Sequence, residues 1–378
     1  MRIGMLADAY KPHVSGITNY MDLMKERLEA AGHEVHFFTF GDSLYDSRPS
    51  IHWTRGVPLP YKGYYLSLWY NRAAQRALQS MDVLHVHHPF LSGRLALRYG
   101  RPRGIPILFT NHTRYDLYAQ TYARFLPSGL VQSFIRAYMP RFCRAIDLTI
   151  SPSAGMEKIL LGMGVDGRIE VVPNGVDLKQ FQNPIPKPRS EFGVKDDDVL
   201  LMYAGRVANE KNLPLLLRAF KEISPRLENA ALMIVGGGPP LEPIKSLASS
   251  LGLSARVRFT GQVSYQALPA YLAMADAFVT PSVSEVHPLS VIEAMAVGLP
   301  IVAIHSPGIS DSVEHEASGL LADDETQFAS NLIRIGSDSA LRKRLGESAR
   351  KASARFSIDN TIQSMLQHYE SLVKKGRQ

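Results

Sequence analysis

Ala277–Ile304 reads AFVTPSVSEVHPLSVIEAMAVGLPIVAI. Ala277–Thr280 is a short apolar, β-rich run. Pro281–Pro288 cannot continue it, because its prolines and serines break a regular ladder. From Leu289 the pattern turns helical, and Gly298-Leu299-Pro300 stops it before a second apolar run, Ile301–Ile304. Strand, loop, helix and strand in one stretch, with both strands apolar throughout, mark a parallel sheet covered on both faces.

Upstream, Val257–Thr260, Ala231–Val235 and Val199–Tyr203 are runs of the same kind separated by helical segments. Before them, Pro184–Ser190 (PIPKPRS) carries three prolines and is expected to link two domains. The pattern then repeats in the first half. Strands are expected at Ile3–Ala7, Val35–Phe40, Val83–His87, Ile105–Thr110 and Leu148–Ile150, and at Val171-Val172 ahead of the turn Pro173-Asn174-Gly175. Tyr20, Met21, Met24, Leu28 and Ala31 share one helical face, with Thr18 or Asn19 as the cap and Gly32 as the stop. The expected fold class is α/β, with two Rossmann-like domains over 1–185 and 186–358. Ligands of such sheets bind beyond the carboxyl ends of the strands, so two facing domains imply a central cleft.

A chain of 378 residues, 45% hydrophobic and 20% charged, suits two ordinary globular domains. A single cysteine, Cys143, allows no internal disulfide and makes a reducing, cytoplasmic setting the expectation. MRIGMLADAY does not read as a signal peptide, and no apolar run is long enough to predict a transmembrane helix. The formal charge of +7 favours anionic partners without choosing among nucleotides, nucleic acid and membranes.

Chemistry is expected at the strand ends. Gly205-Arg206-Val207-Ala208-Asn209-Glu210-Lys211-Asn212 follows a strand and opens a helix, so Arg206 and Lys211 sit where free amides and the helix dipole favour an anion. They are either a diphosphate site or surface cations flanking a helix start. Gly236-Gly237-Gly238 is either a phosphate loop or a tight turn between strand and helix. Asp196-Asp197-Asp198 reads as a solvated turn. Glu285 lies in the loop after Thr280, and Glu293 on the following helix. A carboxylate there can accept both hydroxyls of a ribose, or can be an acid that favours the helix dipole. His112 follows the strand Ile105–Thr110 and either faces the cleft or is a satisfied loop histidine. His85, His87 and His88 invite a metal reading, but adjacent residues of a strand point to opposite faces, which argues against zinc.

Taken together these segments resemble the retaining glycosyltransferases of family 4, which have the GT-B fold, over nearly the whole chain. The most specific part is Glu285 and Glu293 with seven residues between them, followed by EAMAVGLPIVA. The G-R-x4-K element (Gly205, Arg206, Lys211) and Val171–Asp177 (VVPNGVD) are also typical. The resemblance implies that Arg206 and Lys211 grip the donor diphosphate, that Glu293 holds the ribose, and that Glu285 holds the hexose. It implies backbone contacts to hexose or phosphate from His287 to Leu289, through Pro288. Gly261, Gln262 and Val263 would flank the base, Gly16 would let its amide approach the phosphates, and His112 would meet the hexose near the anomeric carbon. Asp116 is a candidate for orienting the acceptor. Transfer would retain configuration without a bound metal or other cofactor, the nucleotide sugar being a substrate. No nucleic-acid partner is implied, and residues 359–378 would form a helix packing back on the first domain. Two positions depart from the common pattern: Ser15-Gly16 stands where many relatives have two glycines, and His287-Pro288 where an aromatic and a glycine are usual. Pro288 has no amide to offer.

His87-His88-Pro89-Phe90 and FTNHTRYDLYAQTY look most like the branch that glucosylates diacylglycerol or similar lipids, with UDP-glucose as donor. In 128–144, Leu130, Val131, Phe134, Ile135, Tyr138, Met139 and Phe142 form one helical stripe, with Arg136, Arg141 and Arg144 outside it. The segment is expected to sit on an anionic membrane at its inner face, or to pack on its own domain with solvated arginines. GDP-mannose with a soluble acceptor, a non-catalytic sugar-nucleotide-binding protein, and a nucleotide-sugar epimerase are the alternatives.

Overall fold

A computed structural model describes residues 1–12, 15–59, 64–117 and 128–376. The chain forms two compact units. One comprises Met1–Gly175 and Ile358–Gln378, the other Val176–Ser357. The first boundary thus falls ahead of the proline-rich Pro184–Ser190, which belongs to the second unit, and not at 185/186. There Arg189 donates to the carbonyls of Met274 and Asp198 and pairs with Asp276 at 2.9 Å.

The first unit runs β1 (Arg2–Leu6), α1 (Gly16–Ala30), β2 (Glu34–Phe40), β3 (Ile51–Thr54), a hairpin of β4 (Val57–Pro58) and β5 (Tyr65–Leu66), α2 (Arg72–Leu78), β6 (Val83–Val86), α3 (Leu91–Gly100), β7 (Ile107–Thr110), α4 (Ser128–Ala145), β8 (Leu148–Ser151), α5 (Ala154–Gly162) and β9 (Ile169–Val171). Its parallel seven-stranded sheet has the order β3-β2-β1-β6-β7-β8-β9. Helix α1 starts earlier than a Thr18 or Asn19 cap would allow. The Ser15 side chain accepts from the amide of Thr18 at 3.3 Å, and the Ser15 amide donates to the Thr18 hydroxyl at 2.8 Å. This reciprocal box satisfies two first-turn donors at once, so Ser15 wins the cap.

The C-terminal stretch is helical, with a 3-10 turn at Ala354–Phe356 dividing it into two helices. The second, Ile358–Gly376, places Ile358, Ile362, Met365, Tyr369 and Leu372 in the core of the first unit with Met5, Phe37 and Leu108. That spacing of four, three, four and three is the apolar stripe of an amphipathic helix.

The second unit runs β10 (Val199–Ala204), α6 (Leu213–Ile223), β11 (Ala230–Val235), α7 (Leu241–Ser250), β12 (Val257–Gly261), α8 (Leu268–Leu272), β13 (Ala277–Thr280), α9 (Leu289–Val297), β14 (Ile301–Ile304), α10 (Pro307–Ser312), β15 (Gly319–Ala322), α11 (Glu325–Ser337) and α12 (Ser339–Ser353). Its six parallel strands have the order β12-β11-β10-β13-β14-β15. Winding reverses between β10 and β13 here, and between β1 and β6 in the first unit. Loops leaving the two central strands splay apart at such a switch point and leave a crevice for a ligand.

Candidate functional site

In the second unit the switch point gathers the charged residues singled out in the sequence. Arg206 and Lys211 follow β10, and Glu285 follows β13. Lys211 Nζ donates to Glu285 Oε1 at 2.6 Å, with both side chains largely covered (21% and 15% exposed). Burial by itself would raise the Glu285 carboxyl. The Lys211 charge and hydrogen bond, the Ser282 hydroxyl and the Arg206 charge outweigh it and hold the carboxyl below the usual range. Arg206 is about half exposed and pairs with Glu210, while the Ser284 hydroxyl ties the Glu285 loop to the Glu210 carbonyl at 3.3 Å. The arrangement presents two cations where an anion can enter, beside the N-terminus of α9. That helix starts after Pro288 with no side-chain cap, so its first amides are open to a ligand.

Glu293 lies in the second turn of α9, and no acidic residue occupies the first turn. It is therefore not a surface acid serving the helix dipole. It is 5% exposed, and Tyr265, in the turn after β12, donates to its Oε1 at 3.0 Å. Burial raises the Glu293 carboxyl to about 7, against the opposing pull of that hydrogen bond. Tyr265 gave no sequence signal of its own, since a tyrosine after a strand is ordinary. Only the fold brings it to a carboxylate in another element.

The glycine run has a packing role. Gly236 and Gly238 have φ of 142° and 159°, and a Cβ on either would lie 1.9 Å from a carbonyl oxygen, that of Gly205 or Val207. Gly205 and Val207 in turn donate to Val235 and Gly237 at 2.9 Å. The glycines let one turn lie against another and so fix the loop carrying Arg206. Gly261 closes β12 at φ 70°, with Gln262 exposed and Val263 half-buried beyond it. His287 is 8% exposed, packs edge-on against Phe356, and has no hydrogen-bond partner on either ring nitrogen. Burial, then the nearby Arg355, lowers it to about 3, so the ring is neutral.

In the first unit, His87 follows β6 and His112 follows β7. Their nitrogens His87 Nδ1 and His112 Nε2 are 3.0 Å apart and their rings stack. His85 lies on the same face as His87 and bridges Tyr369 of the C-terminal helix and Thr110, at 2.7 Å each. His88 points the other way and accepts from the Asp8 amide. Burial lowers His85 to about 3 and holds His87 well below its usual value, helped there by the charges of His85, His112 and His88. These rings hold one another as neutral hydrogen-bonding groups, and among the described residues no three His, Cys, Asp or Glu side chains gather as a metal cage. Gly16 is the exposed first residue of α1. Asp116 is bound bidentately by Arg114 at 2.7–3.2 Å, so both its oxygens are engaged.

The arginine-rich helix α4 does not present its whole apolar stripe. Ile135, Met139 and Phe142 are buried, whereas Leu130 and Phe134 are 65% and 56% exposed. Arg136, Arg141 and Arg144 face solvent, and Arg144 pairs with Asp166 at 2.7 Å. Much of FTNHTRYDLYAQTY, from Tyr118 on, lies outside the described residues. Among the described residues no helix is long and apolar enough to cross a membrane.

Comparison with known proteins matches residues 14–180 to the model described as Glycosyltransferase Family 4, and residues 185–352 to that of Glycosyl transferases group 1. The chain is 28% identical to the alpha-monoglucosyldiacylglycerol synthase of Streptococcus pneumoniae, over 88% of this chain and 78% of that one. It is 26% identical to the enzyme of the same name from Acholeplasma laidlawii, over 100% and 98%. It is 32% identical to the D-inositol 3-phosphate glycosyltransferase of Frankia alni, over 76% and 74%. Among solved structures, the sucrose-phosphate synthase of Thermosynechococcus elongatus superposes with a TM-score of 0.81 at 23% identity, over 99% of both chains. Anabaena HepE in complex with UDP-glucose superposes at 0.77 and 19%, over 98% of this chain and 100% of that one.

Proposed function

The chain belongs to glycosyltransferase family 4, with its two Rossmann-like units those of the GT-B fold, and from that premise we propose that it transfers glucose from UDP-glucose to a hydroxyl of a membrane lipid of the diacylglycerol kind, with retention at the anomeric carbon. The carrying observation is the buried Lys211–Glu285 pair beside Arg206 and the uncapped start of α9, at the switch point of one sheet.

In this reading the diphosphate lies on Arg206, Lys211 and the first amides of α9. As the bond from the anomeric carbon to the phosphate oxygen breaks, these fixed positive groups take up the growing charge, the task a metal ion performs elsewhere. The ionised Glu285 accepts from a hexose hydroxyl, and the Glu293 carboxylate accepts from the ribose. The acceptor oxygen bonds the anomeric carbon on the face the phosphate leaves, and its proton passes to the departing phosphate oxygen. Among the described residues no carboxylate pair is evident as nucleophile and acid, which favours this single front-face step. His112, stacked on His87, meets the hexose. The names of the two synthases support a lipid acceptor and UDP-glucose in HepE supports the donor. Leu130 and Phe134, exposed beside arginines, support docking on an anionic bilayer.

The test incubates the protein with UDP-glucose or GDP-mannose and with diacylglycerol vesicles or inositol phosphate. Products are read by mass spectrometry and the anomeric configuration by NMR. The expected product is an α-glucosyl lipid from UDP-glucose. Turnover only with the soluble acceptor would remove the lipid reading, and nucleotide binding without turnover on any pair would remove the enzyme reading.

A further inference from the structure

The two tryptophans of the chain, Trp53 and Trp69, line one cavity of about 330 Å³. Gly41, Asp42, Arg55 and Asn71 line it with them. It opens where β2 and β3 end, at the carboxyl edge of the first unit's sheet, the edge at which parallel sheets bind ligands. We propose that this cavity is a carbohydrate subsite that holds a pyranose ring of a glycosylated acceptor or product.

The walls have the chemistry such a ring needs. A pyranose presents a flat C–H face and a rim of hydroxyls. An indole supplies a rigid apolar surface at little entropic cost, and a few polar groups fix orientation. Trp53 is already held, since its Nε1 donates to the Asp46 carbonyl at 2.8 Å. Trp69 is 59% exposed, and its ring has no aromatic partner among the described residues. Arg55 is exposed and makes no hydrogen bond or ion pair among them. One Asp42 oxygen accepts from Leu44, leaving the other for a hydroxyl. An acid and a base on one lining suit a neutral polyol better than a bare anion, which Asp42 would repel. At Gly41 the φ of 130° is one L side chains rarely adopt, and a Cβ would come within 3.1 Å of the Tyr65 ring and 3.2 Å of Trp53. A glycine there keeps the floor open.

Position supports an acceptor role. Three strand spacings separate β2 from β7, which leads to His112, and four separate β3 from it. At about 4.8 Å per spacing that is roughly 14–19 Å, the reach of a few linked sugar rings along one sheet edge. A sugar-bearing acceptor, unlike diacylglycerol itself, would therefore rest its ring in this cavity while a hydroxyl further along the molecule reached the transfer point.

Because no other tryptophan is present, intrinsic fluorescence reports on this cavity alone. Titration of the full chain with maltose should give a saturable change in emission that added UDP leaves in place. Arg55→Ala and Asp42→Ala, which keep both reporters, should each weaken binding about fivefold. Calorimetry with Trp69→Ala, an exposed site whose replacement spares the fold by circular dichroism, should show no maltose heat. The proposal falls if wild type gives no saturable response, if the three variants bind maltose as wild type does, or if sodium phosphate alone reproduces the change. Failure of UDP to bind would overturn the transferase reading while leaving this one standing.

Discussion

Around the switch point of the second unit the polar residues are charged and spent on one another. Lys211 pairs with Glu285, Arg206 with Glu210, and Tyr265 bonds the buried Glu293. Beside His112 in the first unit, His85 and His87 are held uncharged by burial. Removing charge from water is expensive unless partners compensate it. A site that keeps paired charges under cover is built to receive another charge, and one lined by neutral rings is built for hydroxyls. In the proposed function the charged side takes the diphosphate and the side lined by uncharged rings takes the sugar.

The sharpest way to break this contrast is to take the cation from the charged side. Lys211→Met leaves Glu285 buried without its partner and removes a group proposed to stabilise the leaving diphosphate. Loss of one such electrostatic contact costs roughly 10²–10³ in rate, so kcat should fall on the order of a thousandfold. Glu285→Gln in the same chain should restore part of the thermal stability but none of the rate, because the two changes touch one pair. Equal kcat in Lys211→Met and wild type would end the diphosphate assignment.

Next in size is a pH effect at Glu293. A carboxyl raised to about 7 by burial favours its neutral form in the fold. Its contribution to stability is whole below the ordinary carboxyl range and is lost as pH rises through 7, on the order of 3 kcal/mol. In the proposed role Glu293 accepts from both ribose hydroxyls as a carboxylate, so UDP binding releases a proton below pH 7. The Kd for UDP should rise about tenfold per pH unit as pH falls from 7 to 5, and be flat above 8. Glu293→Gln should bind UDP ten- to a hundredfold more weakly with no slope, as calorimetry in two buffers of different ionisation heat would read.

On the neutral side, His112→Ala should slow transfer some ten- to fiftyfold while leaving the Kd for UDP unchanged. The split matters more than the size. A weakened UDP affinity would place His112 at the nucleotide, and an unchanged kcat would remove it from the sugar.

These expectations follow the residues that the sequence made legible. Arg206, Lys211, Glu285 and Glu293 stand where apolar strands give way to loops and helices, so order along the chain already put them at strand ends. What stayed hidden were relations between elements. Gly236 and Gly238 look like any tight turn until Gly205 and Val207 are seen against them. The closeness of His87 to His112 across β6 and β7 likewise leaves no mark in either segment. β3 and β15 were missed because IHWT mixes polar and aromatic residues and GLLA holds no β-branched one, so neither stands out as an apolar, β-rich run. The stripe on α4 was visible, but not that half of it is core.

The smallest effect tests a residue of this hidden kind. Tyr265→Phe removes only the hydroxyl that donates to Glu293 at 3.0 Å. A hydrogen bond to a carboxylate stabilises the charged form, so its loss should push the Glu293 carboxyl higher still. At pH 7 UDP should bind roughly three- to tenfold more weakly, in line with about 1 kcal/mol for one such bond, and kcat should not change. A merely structural tyrosine would shift Tm alone. A positioning one shifts the midpoint of the UDP affinity profile to higher pH, and above pH 9, where the carboxylate is fully formed in both proteins, most of the difference should vanish. If the deficit stayed constant across pH, Tyr265 would act on the ribose or base directly and not through the carboxylate.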